Sequence, residues 1–143
     1  LLSAQSREDF SALVDFSLDL EGLSRLAIAG EGEFPEDAPL VILTGSVASR
    51  EVLQPGPEDY LGEIELLGGR WQGVEEVTTF RCIVQFRGAE YATFIPARRS
   101  RQTPPEEIPL NASLLVVGKL SGVRADDRGN VVIVQGYFVR FLD

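Results

Sequence analysis

The chain has 143 residues, 44% of them hydrophobic, and a formal net charge of −9. This length suits one domain with a substantial core and is too short for two ordinary ones. Residues 1–79 hold 16 acidic and 4 basic side chains, whereas residues 81–101 hold five arginines against one glutamate. Because an acidic protein repels phosphate backbones at long range, the composition disfavours general nucleic-acid binding.

Histidine and methionine are absent, and Cys82 is the one cysteine. The commonest general base and metal ligand is therefore missing, and no internal disulfide can form. No apolar run approaches the roughly 20 residues that cross a bilayer. The start, Leu1 to Gln5, has the character of the end of a secretory signal, with a boundary inside a longer protein as the alternative. We expect a periplasmic or extracellular location slightly more than a cytoplasmic one.

Residues 1–39 are predicted to form an N-terminal extension, a helix and an acidic loop, that packs on a barrel made by residues 40–143. Ser6, followed by two acids, is a helix cap, and the spacing of the first apolar residues is helical. A helix from Ser6 to about Gly30 is one interpretation. Because apolar residues alternate from Val14 to Leu20, the other is a short helix, a strand and a second helix over 21–29. Residues 31–39, with two prolines and four acids, predict a loop.

The next segments predict two strands separated by a turn. Residues 40–47 form a buried strand with a glycine at its centre, which 52–53 continue past a bend. Residues 54–59 contain two prolines and a glycine, so they form a turn. Residues 60–67 alternate and predict a second strand that Gly68 and Gly69 end. Residues 70–77, which include Trp71, fit neither helix nor strand clearly.

Residues 78–87 show the cleanest alternation in the chain. Successive side chains of a strand point to opposite sides, so this segment is a half-buried strand. Gly88 and Ala89 are predicted to turn it back into a strand over 90–95. Residues 96–109 form a polar connection, with one helical turn at 104–107. The predicted inner face carries Phe80, Cys82, Val84 and Phe86, and the outer face carries Thr79, Arg81, Ile83, Gln85 and Arg87.

The last third, Ser113 to Leu142, predicts a long β-hairpin. Two runs rich in valine and isoleucine flank a polar turn at residues 125–130. Gly118, Gly122 and Gly136 lie inside the strands. Glycine there marks a bulge or the sharp coiling of a strand around a closed barrel.

This order of strands, ending in Leu114-Leu115-Val116-Val117-Gly118-Lys119-Leu120 and a final strand, resembles the oligonucleotide/oligosaccharide-binding (OB) fold. The resemblance covers roughly residues 40–142. It implies an all-β protein, a small closed barrel of about five to six strands with an N-terminal helical or irregular extension. Non-catalytic, exported bacterial OB-like domains are broadly similar. The structural alternative is an all-β sandwich of comparable strand number.

The arginines of residues 81–101 are the one constellation that predicts a binding site. Guanidinium groups bind carboxylates or phosphates, and tyrosine stacks on bases. Trp71, flanked by glycine and acids, is either core or an exposed anchor. The alternative is that the arginines pair internally with the surplus acids. The predicted partner-binding residues are Trp71, Arg81, Gln85, Arg87, Tyr91, Arg98, Arg99 and Arg101.

No catalytic, cofactor or metal site is predicted. Cys82 lies on the inner face of its strand and is expected in the core. Asp126 and Asp127 are adjacent on a hairpin tip, where such residues form turns rather than cation sites. Gly68 and Gly69 lack the helix and the lysine of a phosphate loop. An enzyme is therefore not expected.

The sequence is compatible with three functions. The leading prediction is a non-catalytic assembly module that acts through protein–protein contacts in the cell envelope. The alternative is an OB domain that binds single-stranded nucleic acid through its arginine cluster. A third is a binder of a small ligand or glycan.

Overall fold

A computed structural model describes residues 15–30, 32–72, 76–97 and 105–142. Within these ranges the chain forms one α-helix, six strands and one turn of 3-10 helix at Ala89–Tyr91. No helix in this described part is long and apolar enough to span a membrane. The elements are α1 (Leu20–Ala27), β1 (Gly32–Glu33), β2 (Leu40–Gln54), β3 (Leu61–Gln72), β4 (Glu76–Arg87), β5 (Ser113–Asp126) and β6 (Gly129–Phe141).

Five of the strands close into a barrel. The first half of β2 pairs with β5 and its second half with β3, both antiparallel. Strand β4 follows β3, and a short parallel pairing of β4 with β6 joins the two ends of the sheet. Since β6 also pairs with β5, the ring is complete, while β1 adds a short edge beside β5. The predicted closed OB-like barrel is confirmed, and the sandwich alternative is wrong.

Strand β2 is long enough to serve two neighbours because it bends. Its register against β3 shifts between Val47 and Ser49 and again between Val52 and Gln54. Such irregularities increase the twist of a strand and let it pass from one side of a barrel to the other. At the mid-strand glycine, Gly45, an added Cβ would lie 2.6 Å from the carbonyl oxygen of Leu67. The glycine therefore permits the close approach of β3 at the bend.

The predicted hairpin of the last third is present as β5 and β6. They pair from Leu114 and Phe141 to Asp126 and Gly129, with shifts near Gly118 and Gly122. The turn needs a positive φ at Gly129, 111°, which glycine adopts without strain. The hairpin therefore bends where the sequence placed its internal glycines.

The core lies inside the barrel and is closed at one end by α1. Inward side chains of every long strand are buried, among them Cys82, Val84 and Phe86 of β4. Asp19 caps the start of the helix: its carboxylate accepts a hydrogen bond of 2.8 Å from the N–H of Gly22. Leu20, Leu23 and Ala27 form its buried face. Apolar burial of this kind is the main stabilising term of a small barrel.

Three predictions about local structure are wrong. Residues 15–19 form a turn, so they are neither the predicted strand nor part of a continuous helix to Gly30, whereas α1 matches the second helix predicted over 21–29. Strand β3 continues through Gly68 and Gly69 to Gln72, because β4 supplies a backbone partner at each position. Residues 90–95 are not a strand: Tyr91 and Phe94 pack their rings on Phe86, with ring centroids 5.6 and 5.5 Å away, which holds this segment in turns. The predicted helix start at Ser6 and the turn at Pro104 fall outside the described residues. The division of the chain at residue 40 stays a prediction.

Candidate functional site

The outer face of β4 carries the predicted residues Arg81, Gln85 and Arg87, as the alternation indicated. Arg81, however, is held by carboxylates of the same chain. Its two terminal nitrogens donate to Asp126 at 2.6 and 2.7 Å, and one of them lies 3.5 Å from Glu65. Gln85 donates to Glu63 at 3.0 Å. At these two positions some of the side-chain donors that the sequence assigned to a partner are bonded within the fold: the guanidinium of Arg81 and one N–H of Gln85.

Arg81 is part of a larger ion-pair network. Arg124 donates to Glu63 and Arg128 to Glu65. The two glutamates come from β3 and are only 7% and 4% exposed, although they lie on the outer face of the barrel. Three carboxylates thus balance three guanidinium groups, so the network is formally neutral. Its members are Glu63, Glu65, Arg81, Arg124, Asp126 and Arg128.

The charges in the network stabilise one another. The hydrogen bonds from Arg81 and the backbone N–H of Arg128 lower the pKa of Asp126 to about 2, from an ordinary value of 3.8. Hydrogen bonds to carboxylates raise the pKa of Arg81 and that of Arg124. Asp126, Arg81 and Arg124 therefore stay ionised at neutral pH.

The network fastens the tip of the β5–β6 hairpin to the outer face of β3 and β4. Beneath it, Ile83 of β4 packs with Val131 and Ile133 of β6 in a small apolar cluster separate from the core. Ile83 points outward yet is 5% exposed. Internal pairing, the alternative stated for the arginine cluster, therefore holds for Arg81.

The other predicted residues differ in exposure. Arg87 is exposed, and among the described residues no ion pair involves it. Tyr91 is partly buried against Phe86 and Phe94, and its hydroxyl donates to the carbonyl of Tyr137 at 3.3 Å. Burial raises the pKa of Tyr91. The remaining three arginines and the Trp71 side chain fall outside what the structure describes, and the arginines are Arg98, Arg99 and Arg101.

Sequence reasoning missed a group of exposed aromatic side chains at the end of β6. Tyr137 and Phe138 are 45% and 54% exposed; we call these two residues the β6 aromatic patch. Phe141, 42% exposed, pairs with the buried Leu114 and therefore lies on the other face of β6. The register of β6 shifts after Gly136, so Phe138 pairs with Val117 on the outer surface. Arg140, also exposed, lies on the same strand. The adjacent Tyr137 and Phe138 were the available signal, since two neighbouring strand residues cannot both face a core.

A polar row runs across three strands beside this patch. Lys119 of β5 pairs with Gln135 of β6, and Gln135 pairs with Gln85 of β4. These side chains line a groove of about 500 Å³, bounded on the other side by residues 32–36. Arg87 and Tyr137 each lie two residues beyond the last paired residues of β4 and β6. The end of the parallel β4–β6 pair thus brings together a free guanidinium, exposed aromatic rings and amide groups.

Cys82 is fully buried in the core, as its position on the strand indicated. Burial raises the pKa of its thiol far above the ordinary value, so it is not a nucleophile at neutral pH. Within the described ranges no cluster of three or more acidic, cysteine or histidine side chains is arranged to hold a metal ion.

The strand connectivity decides the fold. A five-stranded closed barrel in which β2 pairs with β3 and β5, and β4 runs parallel to β6, is the arrangement of the oligonucleotide/oligosaccharide-binding barrel. The chain has an OB fold. The SSB protein of Plasmodium falciparum, solved in complex with ssDNA, has a similar OB fold: TM-score 0.50, 12% identity, covering 73% of this chain and 94% of that one.

Further solved structures are similar to this OB fold at lower scores. The N-terminal domain of PriB from Thermoanaerobacter tencongensis matches with a TM-score of 0.46 and 14% identity, covering 76% of this chain and 99% of that one. The single-stranded DNA binding protein from Thermus aquaticus matches with a TM-score of 0.47 and 14% identity, covering 79% and 51%. Neither a family model nor a curated protein matches the sequence.

The comparison with the Plasmodium falciparum SSB overturns the leading functional prediction. We expected a protein–protein assembly module of the cell envelope, whereas the similar OB fold from Plasmodium falciparum is an SSB in complex with ssDNA. The inference from net charge that disfavoured nucleic acid also loses its support. Net charge averages over the whole surface and does not show where on that surface the charges lie.

Proposed function

We propose that this OB domain binds single-stranded nucleic acid without catalysing a reaction on it. The observation that supports the proposal most directly is the juxtaposition of the β6 aromatic patch, Arg87 and the polar row on one OB barrel. The Plasmodium falciparum SSB, which has a similar fold, was solved with ssDNA bound. Because its identity to this chain is only 12%, the similarity concerns the fold alone. The proposal therefore depends on the surface residues of this chain.

The exposed rings have the chemistry that unpaired bases need. Aromatic side chains stack on any base, since every base has a π-face, and each stack contributes roughly 1–3 kcal/mol. Tyr137 and Phe138 are the most exposed rings of β6. A duplex keeps its base faces stacked inside the helix, so these rings are proposed to select single strands.

The groups around the rings suit a backbone and base edges. Arg87 and Arg140 are exposed cations that contact phosphates. The amide groups of Gln85 and Gln135 both donate and accept hydrogen bonds, as base edges require. We include Arg98, Arg99 and Arg101 in the proposal on sequence grounds, since they follow closely after the strand that carries Arg87. Trp71 stays a further proposed contact.

The position of the site differs from the one that sequence alone indicated. Arg81 and the outer face of β3 are covered by the hairpin tip, so we place the nucleic acid beyond that cover, at the end of the β4–β6 pair. Glu33 and Glu36 on the far wall of the groove repel phosphate. We therefore expect binding that is measurable at low salt and weakens steeply as salt is added.

Fluorescence anisotropy with a labelled oligonucleotide of about 16 nucleotides, near the upper site size of one OB fold, tests the proposal. The wild-type domain should bind the single strand and bind the matching duplex more weakly. Phe138→Ala should weaken binding at least about fivefold, the lower bound for one lost stack. Arg87→Gln should weaken binding and reduce the dependence on salt.

Two matched variants serve as controls. Ile28→Ala removes an exposed apolar side chain at the end of α1, and Arg25→Gln removes an exposed cation on the same helix. Both should bind as the wild type does. Equal affinity for single strand and duplex, or no binding at low salt, would contradict the proposal. So would loss of binding in the controls to the same degree as in the test variants.

A further inference from the structure

A second cavity lies at the opposite end of β4, where β4 and β6 separate. The two strands pair only over 83–85, and α1 lies beside the gap, where the hydroxyl of Ser24 is 3.4 Å from the N–H nitrogen of Arg81. The cavity has a volume of about 320 Å³. Its lining comprises Ser24 of α1, Leu67 of β3, Thr79 and Arg81 of β4, Arg128 of the hairpin turn and Asn130 of β6.

The lining is almost entirely made of hydrogen-bond donors. Five of the six side chains carry an N–H or O–H group, two of them are guanidiniums, and none is a carboxylate. The carboxylates of Glu65 and Asp126 that pair with these guanidiniums do not line the cavity. The ion pairs are therefore oriented with their positive ends at the cavity. A cation would find no carboxylate on these walls, whereas an anion would find donors on several sides.

Several of these donors remain unused. Arg128 donates from one terminal nitrogen of its side chain to Glu65 and is 55% exposed, which leaves most of its five N–H groups available. Asn130 donates to the carbonyl of Ala27 at 3.1 Å and retains a second N–H. The hydroxyl of Thr79 has no hydrogen bond to another described residue, and Thr79 is exposed. The cavity thus offers free donors on β4, the hairpin turn and β6.

We propose that this cavity binds one phosphate group. Tetrahedral phosphate has oxygen acceptors on all sides, which suits donors converging from three elements, and guanidinium binds it with two parallel hydrogen bonds. The volume is at the lower end of the range for ligand sites and accommodates a phosphate with its attached sugar. Binding through Arg128 leaves the Arg81–Asp126 pair intact, so the fold needs no rearrangement.

The source of the phosphate is where this inference rests on the proposed function. Arg81 and Arg87 are six residues apart on β4, or about 20 Å at the rise of a strand. A single-stranded nucleic acid whose bases stack on the β6 aromatic patch would therefore reach the cavity several nucleotides further along. Either an internal phosphodiester or a terminal phosphate of that strand has the required chemistry.

Inorganic phosphate tests the cavity without any nucleic acid. In two-dimensional NMR of the wild-type domain, added phosphate should shift the amide signals of Thr79, Arg128 and Asn130 and saturate, with chloride at equal ionic strength as control. Arg128→Gln should abolish the saturable shifts, and Arg25→Gln should keep them. Thr79→Val, which changes no charge and removes a free hydroxyl, should weaken them and serves if Arg128→Gln does not fold. Shifts that never saturate, or that chloride reproduces, would overturn the proposal.

Oligonucleotide binding then separates this inference from the proposed function. Arg128→Gln should reduce the slope of log affinity against log salt by about 0.7, the value for one phosphate of a single strand, while Arg25→Gln leaves it unchanged. Tighter binding of a 5′-phosphorylated oligonucleotide than of its 5′-hydroxyl form indicates a terminal phosphate, and equal binding indicates an internal one. Saturable phosphate shifts without oligonucleotide binding support the cavity and refute the proposed function. Oligonucleotide binding with an unchanged slope and no phosphate shifts refutes the cavity alone.

Discussion

Arg81 and Asp126, 45 residues apart in the sequence, form a bidentate ion pair. The two terminal nitrogens of Arg81 lie 2.6 and 2.7 Å from the carboxylate oxygens of Asp126. The pair joins the outer face of β4 to the tip of the β5–β6 hairpin. Glu65, 4% exposed, lies beneath it and depends on Arg81 and Arg128 for neutralisation. The ion pair therefore holds the hairpin tip against β4 and also neutralises charge on the outer face of that strand.

Asp126→Asn should destabilise the domain. It removes the carboxylate and leaves the guanidinium of Arg81, only 14% exposed, without its main partner. Exposed pairs contribute roughly 0–1 kcal/mol and breaking a buried pair costs about 3–5 kcal/mol, so this partly buried pair should cost about 1–2 kcal/mol. The measurement is the urea midpoint at pH 7. Asp127→Asn, at the exposed neighbouring position, is the control and should leave the midpoint unchanged.

The same pair predicts a dependence of stability on pH. The folded-state pKa of Asp126, about 2, is below its ordinary value of 3.8. Folding therefore favours the ionised form, and the stabilisation is complete above about pH 4 and is lost as pH falls toward 2. The difference in unfolding free energy between wild type and Asp126→Asn should be constant from pH 7 to 5 and shrink below pH 4. A difference that persisted undiminished at pH 2 would contradict the assigned ion pair.

Tyr60→Phe should destabilise the domain through one buried hydrogen bond. The Tyr60 hydroxyl donates to the carbonyl of Ile95 at 2.7 Å, and the ring is 1% exposed. Without the hydroxyl that carbonyl loses a partner, which should cost about 1–2 kcal/mol. Urea unfolding followed by circular dichroism gives the change. Tyr137→Phe removes an exposed hydroxyl and should change stability by less than about 0.5 kcal/mol.

Gly136→Ala tests whether glycine is required where β6 coils over the core. A Cβ at this position would lie 2.6 Å from Cε1 of Phe86 and 2.9 Å from Cγ1 of Val84. Overpacking of this kind should cost about 1–3 kcal/mol, measured as a lower thermal midpoint. Gly69→Ala is the matched control, since its nearest contact is the exposed side chain of Val77 at 3.1 Å. Equal midpoints for the two variants would show that β6 can move away from Phe86.

Features that depend on local pattern could be predicted from the sequence. Alternation over residues 78–87 placed Cys82 and Phe86 inside and Arg81 and Arg87 outside, because side chains of a strand alternate without reference to the rest of the fold. The glycines of the last third and the polar turn between two apolar runs predicted the hairpin and the closed barrel, because only close approach and positive φ require glycine there.

Tertiary structure alone decided which groups meet. The partners of Arg81 are 16 and 45 residues away, and no local pattern records such a distance. The pairing of Arg81 with Asp126 and the burial of Glu63 and Glu65 follow from how the hairpin tip folds over β3 and β4. The exposure of Phe138 follows from the register shift between β5 and β6. Charge counted along a chain cannot show which charges neutralise each other, since that depends on distances that exist only once the barrel has closed.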